Sequence, residues 1–249
     1  MAFIQLLATS ENLKKDVNIN VITPERGEGP SKVLYLLHGL GGDHSSWMRK
    51  TSIERYAKKY NLTVIMPSAD RSWYADEKQG YPYYTFIAKE LPQIIEHIFN
   101  ISTKREDTFI AGLSMGGYGA MRIALADPNK FSKSATLSGT VNIKDRVKFW
   151  PSEEFVRIFG EDGPTDADDP ICLLDECAKA SQRPVIYQAC GTNDRLYGFN
   201  QQFKEKALAL GYDLTYTEEP ETHNWGYWDR QIQVVLEWLF KKDDKEQEK

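Results

Sequence analysis

Short apolar runs alternate with longer amphipathic stretches along most of the chain. Eight runs have the length of a β-strand: residues 2–8, 16–23, 32–37, 62–67, 108–111, 134–138, 184–189 and 213–218. The first two alternate apolar with polar residues, as an antiparallel pair does, while the later runs are nearly all apolar, as buried parallel strands are. Helical spacing predicts helices over residues 51–60, 85–99, 115–126, 200–210 and 229–241. This alternation predicts an α/β fold with a mostly parallel sheet covered by helices on both faces.

One segment interrupts the alternation of strand and helix. Residues 139–183 include "WPSEEFVRIFGEDGPTDADDP", which is rich in Pro, Gly and Asp, and we interpret them as a small insertion over one end of the sheet. No linker or repeat divides the rest, so residues 1–241 are expected to form a single domain. The last residues, 242–249, are highly charged and are expected to be a frayed tail.

Composition and charge narrow the class of protein. Of 249 residues, 41% are hydrophobic, and 31 basic against 36 acidic side chains give a net charge of −5. This balance argues against a nucleic-acid or anionic-membrane surface. The start of the chain lacks a basic signal region, and no run approaches the ~18 apolar residues that span a bilayer, so we expect a cytoplasmic protein. The three cysteines show no metal-ligand spacing and are expected to be reduced.

A GxSxG motif lies at the junction between a predicted strand and a predicted helix. It consists of residues 112–116, with Ser114 at its centre, and Gly117 and Gly119 follow. In a nucleophile elbow the serine occupies a sharp turn, and glycines allow the strand and the helix to approach closely. The alternative is a glycine-rich turn that contains a bystander serine. The strand before and the helix after the motif favour a nucleophile.

A second glycine-rich loop follows the predicted strand 32–37. His38 to Gly42 read "HGLGG", a pattern that supplies a backbone N–H to an oxyanion hole, while the residue after the serine supplies another. We therefore predict the amides of Leu40 and Met115 as the oxyanion donors. A phosphate-binding loop is the alternative, but "HGLGGDH" fits neither common phosphate-loop pattern.

Four histidines are available as the general base. His38 belongs to the oxyanion loop, His44 is a nearby loop residue, and His97 lies within a predicted helix. His223 follows the last predicted strand, where the chain order serine, acid, histidine places the base. The alternative for His223 is a loop histidine held by neighbouring tryptophans.

The acid that orients the base must come from the same end of the sheet. Asp194 lies in the turn after the predicted strand 184–189 and satisfies this condition. The rival aspartates at 166, 168 and 169 lie in the insertion and are interpreted as solvated loop charges. Arg195, next to Asp194, would form a competing ion pair if it folded inward.

Four blocks of sequence together resemble the esterase D group of α/β-hydrolases, and within it the bacterial tributyrin esterases. The blocks are "VLYLLHGLGGDHSSWMRKTSIERYA", "RSWYADEKQGYPYYTFIAKELPQII", "KREDTFIAGLSMGGYGAMRIAL" and "THNWGYWDRQIQ", and the likeness covers residues 2–241. The resemblance implies an α/β-hydrolase fold, a catalytic triad of Ser114, Asp194 and His223, and oxyanion amides at Leu40 and Met115.

Two positions depart from the pattern of that group. Arg195 stands where an aromatic residue often follows the acid, and Glu221 stands where a small residue precedes "TH". Both leave the triad in place and change the expected shape and charge of the pocket.

Several aromatic residues are candidates for substrate contact. They are Trp73, Tyr74, Trp150 and Trp225, for which packing in the core or against loops is the alternative.

The predicted activity is that of a serine carboxylesterase acting on small esters with short acyl chains through an acyl-enzyme. No metal or organic cofactor is implied, the expected partner is a small-molecule ester, and assembly into a homo-oligomer stays open. An S-formylglutathione hydrolase and an acetyl or feruloyl esterase are alternatives within the fold. A catalytically silent binding protein of the same fold is the alternative from a different class.

Overall fold

The computed structural model describes residues 1–27 and 29–241, so the predicted tail over 242–249 lies outside the described residues. All eight predicted strands are present, with ends that differ by at most two residues from the predicted ones. They are β1 (Ala2–Ser10), β2 (Lys15–Thr23), β3 (Lys32–Leu37), β4 (Leu62–Pro67), β5 (Thr108–Leu113), β6 (Lys133–Leu137), β7 (Val185–Gly191) and β8 (Leu214–Glu219).

The helices agree less closely with the sequence pattern than the strands do. They are α1 (Ser46–Lys50), α2 (Ile53–Ala57), α3 (Tyr83–Thr85), α4 (Leu91–Ile98), α5 (Met115–Ala126), α6 (Ile143–Phe149), α7 (Glu153–Phe159), α8 (Pro170–Cys177), α9 (Tyr197–Ala209) and α10 (Trp225–Phe240), and one π-helical turn, Phe86–Glu90, joins α3 to α4. The predicted helix 51–60 is the short helix α2 followed by a 3-10 turn, Lys58–Tyr60, and α1 lies before the predicted range. The last helix begins four residues before its predicted start, because the Asn224 side chain accepts a hydrogen bond from the Tyr227 N–H and caps it.

The strands form one sheet in the order β1-β2-β4-β3-β5-β6-β7-β8. β1 pairs with β2 and β2 with β4 in antiparallel fashion, and every other pairing is parallel. The register aligns Leu37 with Gly112, Leu113 with Leu137, and Leu137 with Ala189. The loops after β3, β5, β6 and β7 therefore leave the sheet at one edge, which we call the carboxyl edge.

Both faces of the sheet are buried, which explains why the central strands are almost continuously apolar. On β3, Tyr35 points into a core shared with α3, α4 and α5, and Leu36 points into a core shared with α1, α2 and α10. A smaller cluster lies between β7 and helices α5, α8 and α9. The predicted mostly parallel sheet with helices on both faces is confirmed.

The segment between β6 and β7 is more regular than its composition indicates. It contains α6, α7 and α8, whose starts are capped by the side chains of Asn142, Ser152 and Asp169. Asn, Ser and Asp are typical residues at the start of a helix, but the surrounding Pro and Gly residues obscure the helical spacing in this part of the sequence.

Arg122 joins this segment to the rest of the protein. Its side chain is almost fully buried and donates hydrogen bonds to Asp168 Oδ1 (2.6 Å), to the Tyr74 carbonyl (3.0 Å) and to the Ala167 carbonyl (3.4 Å). The guanidinium also stacks on the ring of Tyr84, 4.4 Å from its centroid. A single side chain on α5 therefore holds the insertion and the loop after β4 together.

Within residues 1–27 and 29–241, no helix combines the length and the apolar character needed to cross a membrane.

Replacement of Arg122 by Met is expected to destabilise the fold by about 3 kcal/mol, because Asp168 and the buried Tyr74 carbonyl lose a donor. Urea unfolding followed by circular dichroism measures the change. The matched control is Lys179→Ala, which breaks a surface pair with Glu176 whose partners are both 70% exposed and should change stability by less than about 0.5 kcal/mol. Equal stability of the two variants would contradict the anchoring role of Arg122.

Candidate active site

Ser114 lies in the tight turn between β5 and α5 with a strained backbone. Its φ is 52° and its ψ is −117°, a conformation that costs a non-glycine residue about 1–3 kcal/mol. A Cβ on Gly112 would lie 2.3 Å from the carbonyl carbon of Gly116, and a Cβ on Gly116 would lie 2.4 Å from the Leu37 carbonyl oxygen. Only glycine fits at these two positions, so the motif places the hydroxyl at the carboxyl edge as a nucleophile elbow does.

A continuous hydrogen-bonded relay joins Ser114, His223 and Asp194. Ser114 Oγ lies 3.0 Å from His223 Nε2, and His223 Nδ1 lies 2.8 Å from Asp194 Oδ2. With an ionised Asp194, Nδ1–H donates to the carboxylate and Nε2 accepts from the serine hydroxyl. The structure therefore brings together the three residues that the sequence pattern singled out, in the geometry needed for proton transfer from the serine.

The charge of Asp194 is stabilised inside the protein. Its side chain is completely buried, which by itself raises the pKa, yet the pKa is held below its usual range by His223, the Leu196 N–H at 2.9 Å and the Ser138 hydroxyl. Arg195 is exposed and does not pair with Asp194, so the competing ion pair does not form. The carboxylate stays ionised and is available to stabilise an imidazolium.

Ser138 is a site residue that the sequence analysis missed. It directly follows β6, has a φ of 49°, and accepts a hydrogen bond from the Trp228 indole N–H at 3.1 Å. The Trp228 ring packs edge-on against the imidazole of His223, with centroids 4.8 Å apart. Ser138 therefore holds the tryptophan that packs against the base. Its position at the end of β6, the strand between β5 and β7, is the feature of the sequence from which a place in the site could have been predicted.

The loops that carry the acid and the base are fastened to each other. The Thr192 N–H donates to the Glu219 carbonyl at 2.9 Å, and the Asn193 N–H donates to the Glu221 carbonyl at 3.0 Å. The Glu221 carboxylate pairs with Arg230 at 2.6 Å. Glu221 departs from the sequence pattern of the esterase D group. Its side chain pairs with a residue of α10 and is not among those that line the cleft.

Hydrogen bonds to the buried ring of His38 hold the glycine-rich loop after β3. Nδ1–H donates to the Gly39 carbonyl at 2.8 Å, and Nε2 accepts from the Ala69 N–H at 2.9 Å. This arrangement requires a neutral ring, which agrees with burial as the main influence that lowers the pKa of His38. The Tyr74 hydroxyl donates to the His38 carbonyl at 2.9 Å and holds the same loop from the other side.

The two predicted oxyanion amides come from the loop after β3 and from the residue that directly follows the nucleophile. Leu40 is in the loop held by His38, and Leu40 and Ser114 line the same cleft. Met115 is the first residue of α5, so its N–H has no acceptor within the helix. This placement suits the capture of a developing oxyanion, and the roles of the two amides stay predictions.

An open cleft of about 660 Å³ exposes the relay. It is lined by Gly39, Leu40, Gly41, Gly42, Asp43, Ser46, Arg49, Lys50, Leu113, Ser114, Arg195, His223, Asn224, Trp225 and Trp228. Trp225 lies in this wall, packed edge-on against Trp47 and Trp228 at 5.3 Å in each case. Its placement agrees with the predicted substrate contact, which stays a prediction.

The other three aromatic candidates lie away from the cleft. Tyr74 is completely buried, so the prediction that it contacts substrate is wrong and its role is to support the loop after β3. Trp73 is 3% exposed, and its indole donates to Glu154. Trp150 is exposed but packs on Phe199, with centroids 5.8 Å apart, and does not line the cleft.

Within the described part of the chain, no group of three or more His, Cys, Asp or Glu side chains is arranged to hold a metal ion.

Comparisons with known proteins agree with this geometry. The family model named Esterase matches residues 10–239. An acetyl esterase from Caldicellulosiruptor saccharolyticus is 32% identical over 98% of this chain and 100% of its own length.

Two solved structures from Staphylococcus aureus are similar throughout. The fluorophosphonate-binding serine hydrolase F is 34% identical with a TM-score of 0.90, covering 97% of this chain and 99% of its own. An S-formylglutathione hydrolase is 35% identical with a TM-score of 0.87, covering 96% and 99%. The chain therefore belongs to the esterase family of α/β-hydrolases, in the esterase D-like group, and is a serine esterase.

Proposed function

We propose that this esterase hydrolyses small esters with short acyl chains through an acyl-enzyme on Ser114. The relay from Asp194 through His223 to Ser114, open to a cleft, is the observation that carries the proposal. The resemblance to tributyrin esterases belongs to the same proposal, since those enzymes act on short-chain esters.

The reaction runs in two halves. Ser114 Oγ attacks the ester carbonyl carbon while His223 Nε2 takes the hydroxyl proton, and the carbonyl oxygen becomes an oxyanion beside the Leu40 and Met115 amides. Collapse of this intermediate breaks the bond to the alcohol, which leaves with the proton held by His223. Water then attacks the acyl-enzyme with the same base, releasing the acid and restoring Ser114.

Thioester hydrolysis is the second candidate activity. The similarity to an S-formylglutathione hydrolase over nearly the whole chain favours it. A thiol is a better leaving group than an alcohol and makes the same demands on the relay. S-formylglutathione therefore belongs in a substrate panel beside p-nitrophenyl esters and methyl ferulate.

Ser114→Ala should lower kcat on the order of a million-fold, because the triad acts as a unit. The mutant should also fail to react with a fluorophosphonate probe, which measures the nucleophile directly. Ser181→Ala, at an exposed bend after α8, is the matched control and should keep full activity. Retention of more than a few per cent of turnover by folded Ser114→Ala would assign the nucleophile elsewhere.

Ser138→Ala should lower kcat about tenfold with little change in KM, because the Trp228 indole, which packs against His223, loses its acceptor, and one influence that lowers the pKa of Asp194 is removed. Steady-state kinetics with p-nitrophenyl acetate separate the two constants. The control is Ser134→Ala on β6, a buried serine whose hydroxyl donates to the Ala120 carbonyl. If both variants change kcat alike, Ser138 has only a packing role.

Activity should peak with acetyl to butyryl esters and decline by C8. The cleft lining mixes charged side chains and glycines with only a few apolar ones, so added methylenes gain little of the roughly 0.8 kcal/mol that full burial of each would give. Values of kcat/KM for p-nitrophenyl esters from C2 to C12 measure this, with Ser114→Ala as the blank. A higher value for C12 than for C4 would contradict a short acyl pocket.

A further inference from the structure

Basic side chains dominate the charge around the cleft. Arg49 and Lys50 come from the end of α1, Arg195 comes from the turn after β7, and Asp43 is the acidic residue of the lining. The whole chain carries a net charge of −5, so this local excess is opposite to the overall charge. Charges that line a concave site act on a ligand more strongly than charges spread over the surface.

Asp43 offsets one of these three positive charges but forms no ion pair with Arg49, Lys50 or Arg195. Its carboxylate accepts hydrogen bonds from the Ser45 hydroxyl at 2.6 Å and from the Ser45 N–H at 2.9 Å. The Ser45 hydroxyl is the main reason that the pKa of Asp43 lies below its usual value. The carboxylate is thus turned toward the start of α1.

Within the part of the chain that the structure describes, none of the three cleft cations forms an ion pair. Lys50 Nζ lies 5.7 Å above the ring of Trp225, a contact that holds the ammonium at the cleft wall and leaves its donors free. The acids nearby have other partners, since Asp194 bonds to His223 and Glu221 pairs with Arg230.

A fourth cation, Arg146, lies near Arg195 but outside the cleft lining. Burial of the Arg146 guanidinium and then repulsion by Arg195 lower the pKa of Arg146, while the Glu154 carboxylate opposes this effect. Arg146 stacks on Trp150, 5.0 Å from its centroid, and donates to the Trp150 carbonyl.

We infer that the cleft selects esters that carry an anionic group, a carboxylate or a phosphate, which Arg195, Arg49 and Lys50 bind while the ester carbonyl faces Ser114. The inference rests on the proposed esterase function and defines its substrate class. Guanidinium groups suit both anions, because their donors match two oxygens at once.

Two pairs of substrates test the inference and locate the anion. In the first pair, 4-acetoxybenzoate is compared with its methyl ester, so that the charge lies on the leaving group. In the second, monomethyl succinate is compared with dimethyl succinate, so that the charge lies on the acyl group. We expect kcat/KM to favour the anionic member about fivefold or more in one pair, which identifies the side that faces the cations.

Added salt and single substitutions distinguish binding of the anion by the cleft cations from an effect of the protein's overall charge. The advantage of the anionic member should fall to less than about twofold in 0.5 M NaCl, because exposed charges are screened. Arg195→Ala should reduce the anionic-to-neutral ratio on the order of fivefold, mainly through KM. Arg26→Ala, an exposed arginine between β2 and β3 at the opposite edge of the sheet, makes the same change in net charge and should leave the ratio unchanged.

The outcomes distinguish this inference from the proposed function. The inference would be overturned if the neutral ester were cleaved as well as or better than its anionic partner in both pairs. It would also be overturned if Arg195→Ala and Arg26→Ala changed the anionic-to-neutral ratio equally. Either result would leave the esterase proposal standing. Absence of hydrolysis of all four esters and of the C2 to C12 panel would overturn the proposed function itself.

Discussion

The close approach of the β5–α5 turn to the end of β3 is the constraint on which the site depends. Gly116 lets the first turn of α5 lie directly against the carbonyls of Leu37 and His38, where any Cβ would collide with backbone. The same contact brings the loop after β3 beside Ser114. Because backbone atoms cannot move aside as a flexible side chain can, the nucleophile and the loop with the Leu40 amide keep a fixed separation, as preorganised catalysis requires.

The buried charge of Asp194 constrains the loops in the other half of the sheet. A carboxylate removed from water is costly unless its oxygens accept hydrogen bonds. Here the donors come from two places: His223 after β8 and the Leu196 N–H of the turn that carries Asp194 itself. Stabilisation of this charge therefore requires the loops after β7 and β8 to hold their positions together, and the parallel register of β7 and β8 makes this possible.

Sequence reasoning predicts the strands well and singles out three residues that the structure joins by hydrogen bonds, because each depends on a local pattern or on chain order. The role of Ser138 could not be predicted in this way, since it comes from the pairing of β6 between β5 and β7 and not from its neighbours in sequence. Tyr74 was misplaced for a similar reason. A Cβ on Gly119 would lie 2.6 Å from the Tyr74 ring, so this glycine makes room for a tyrosine 45 positions earlier in the chain. Neither residue alone indicates that contact.

The sequence also does not reveal where the charged side chains gather in the fold. A net charge of −5 describes the long-range field of the chain and argues against a surface made for polyanions. It says nothing of where single charges lie. Arg49 and Arg195 are 146 positions apart, yet both line one cleft because the turns after β3 and β7 open at the same edge of the sheet. The parallel strand order thus brings residues that are distant in sequence into one cleft, where a local positive charge lines the same walls as the nucleophile.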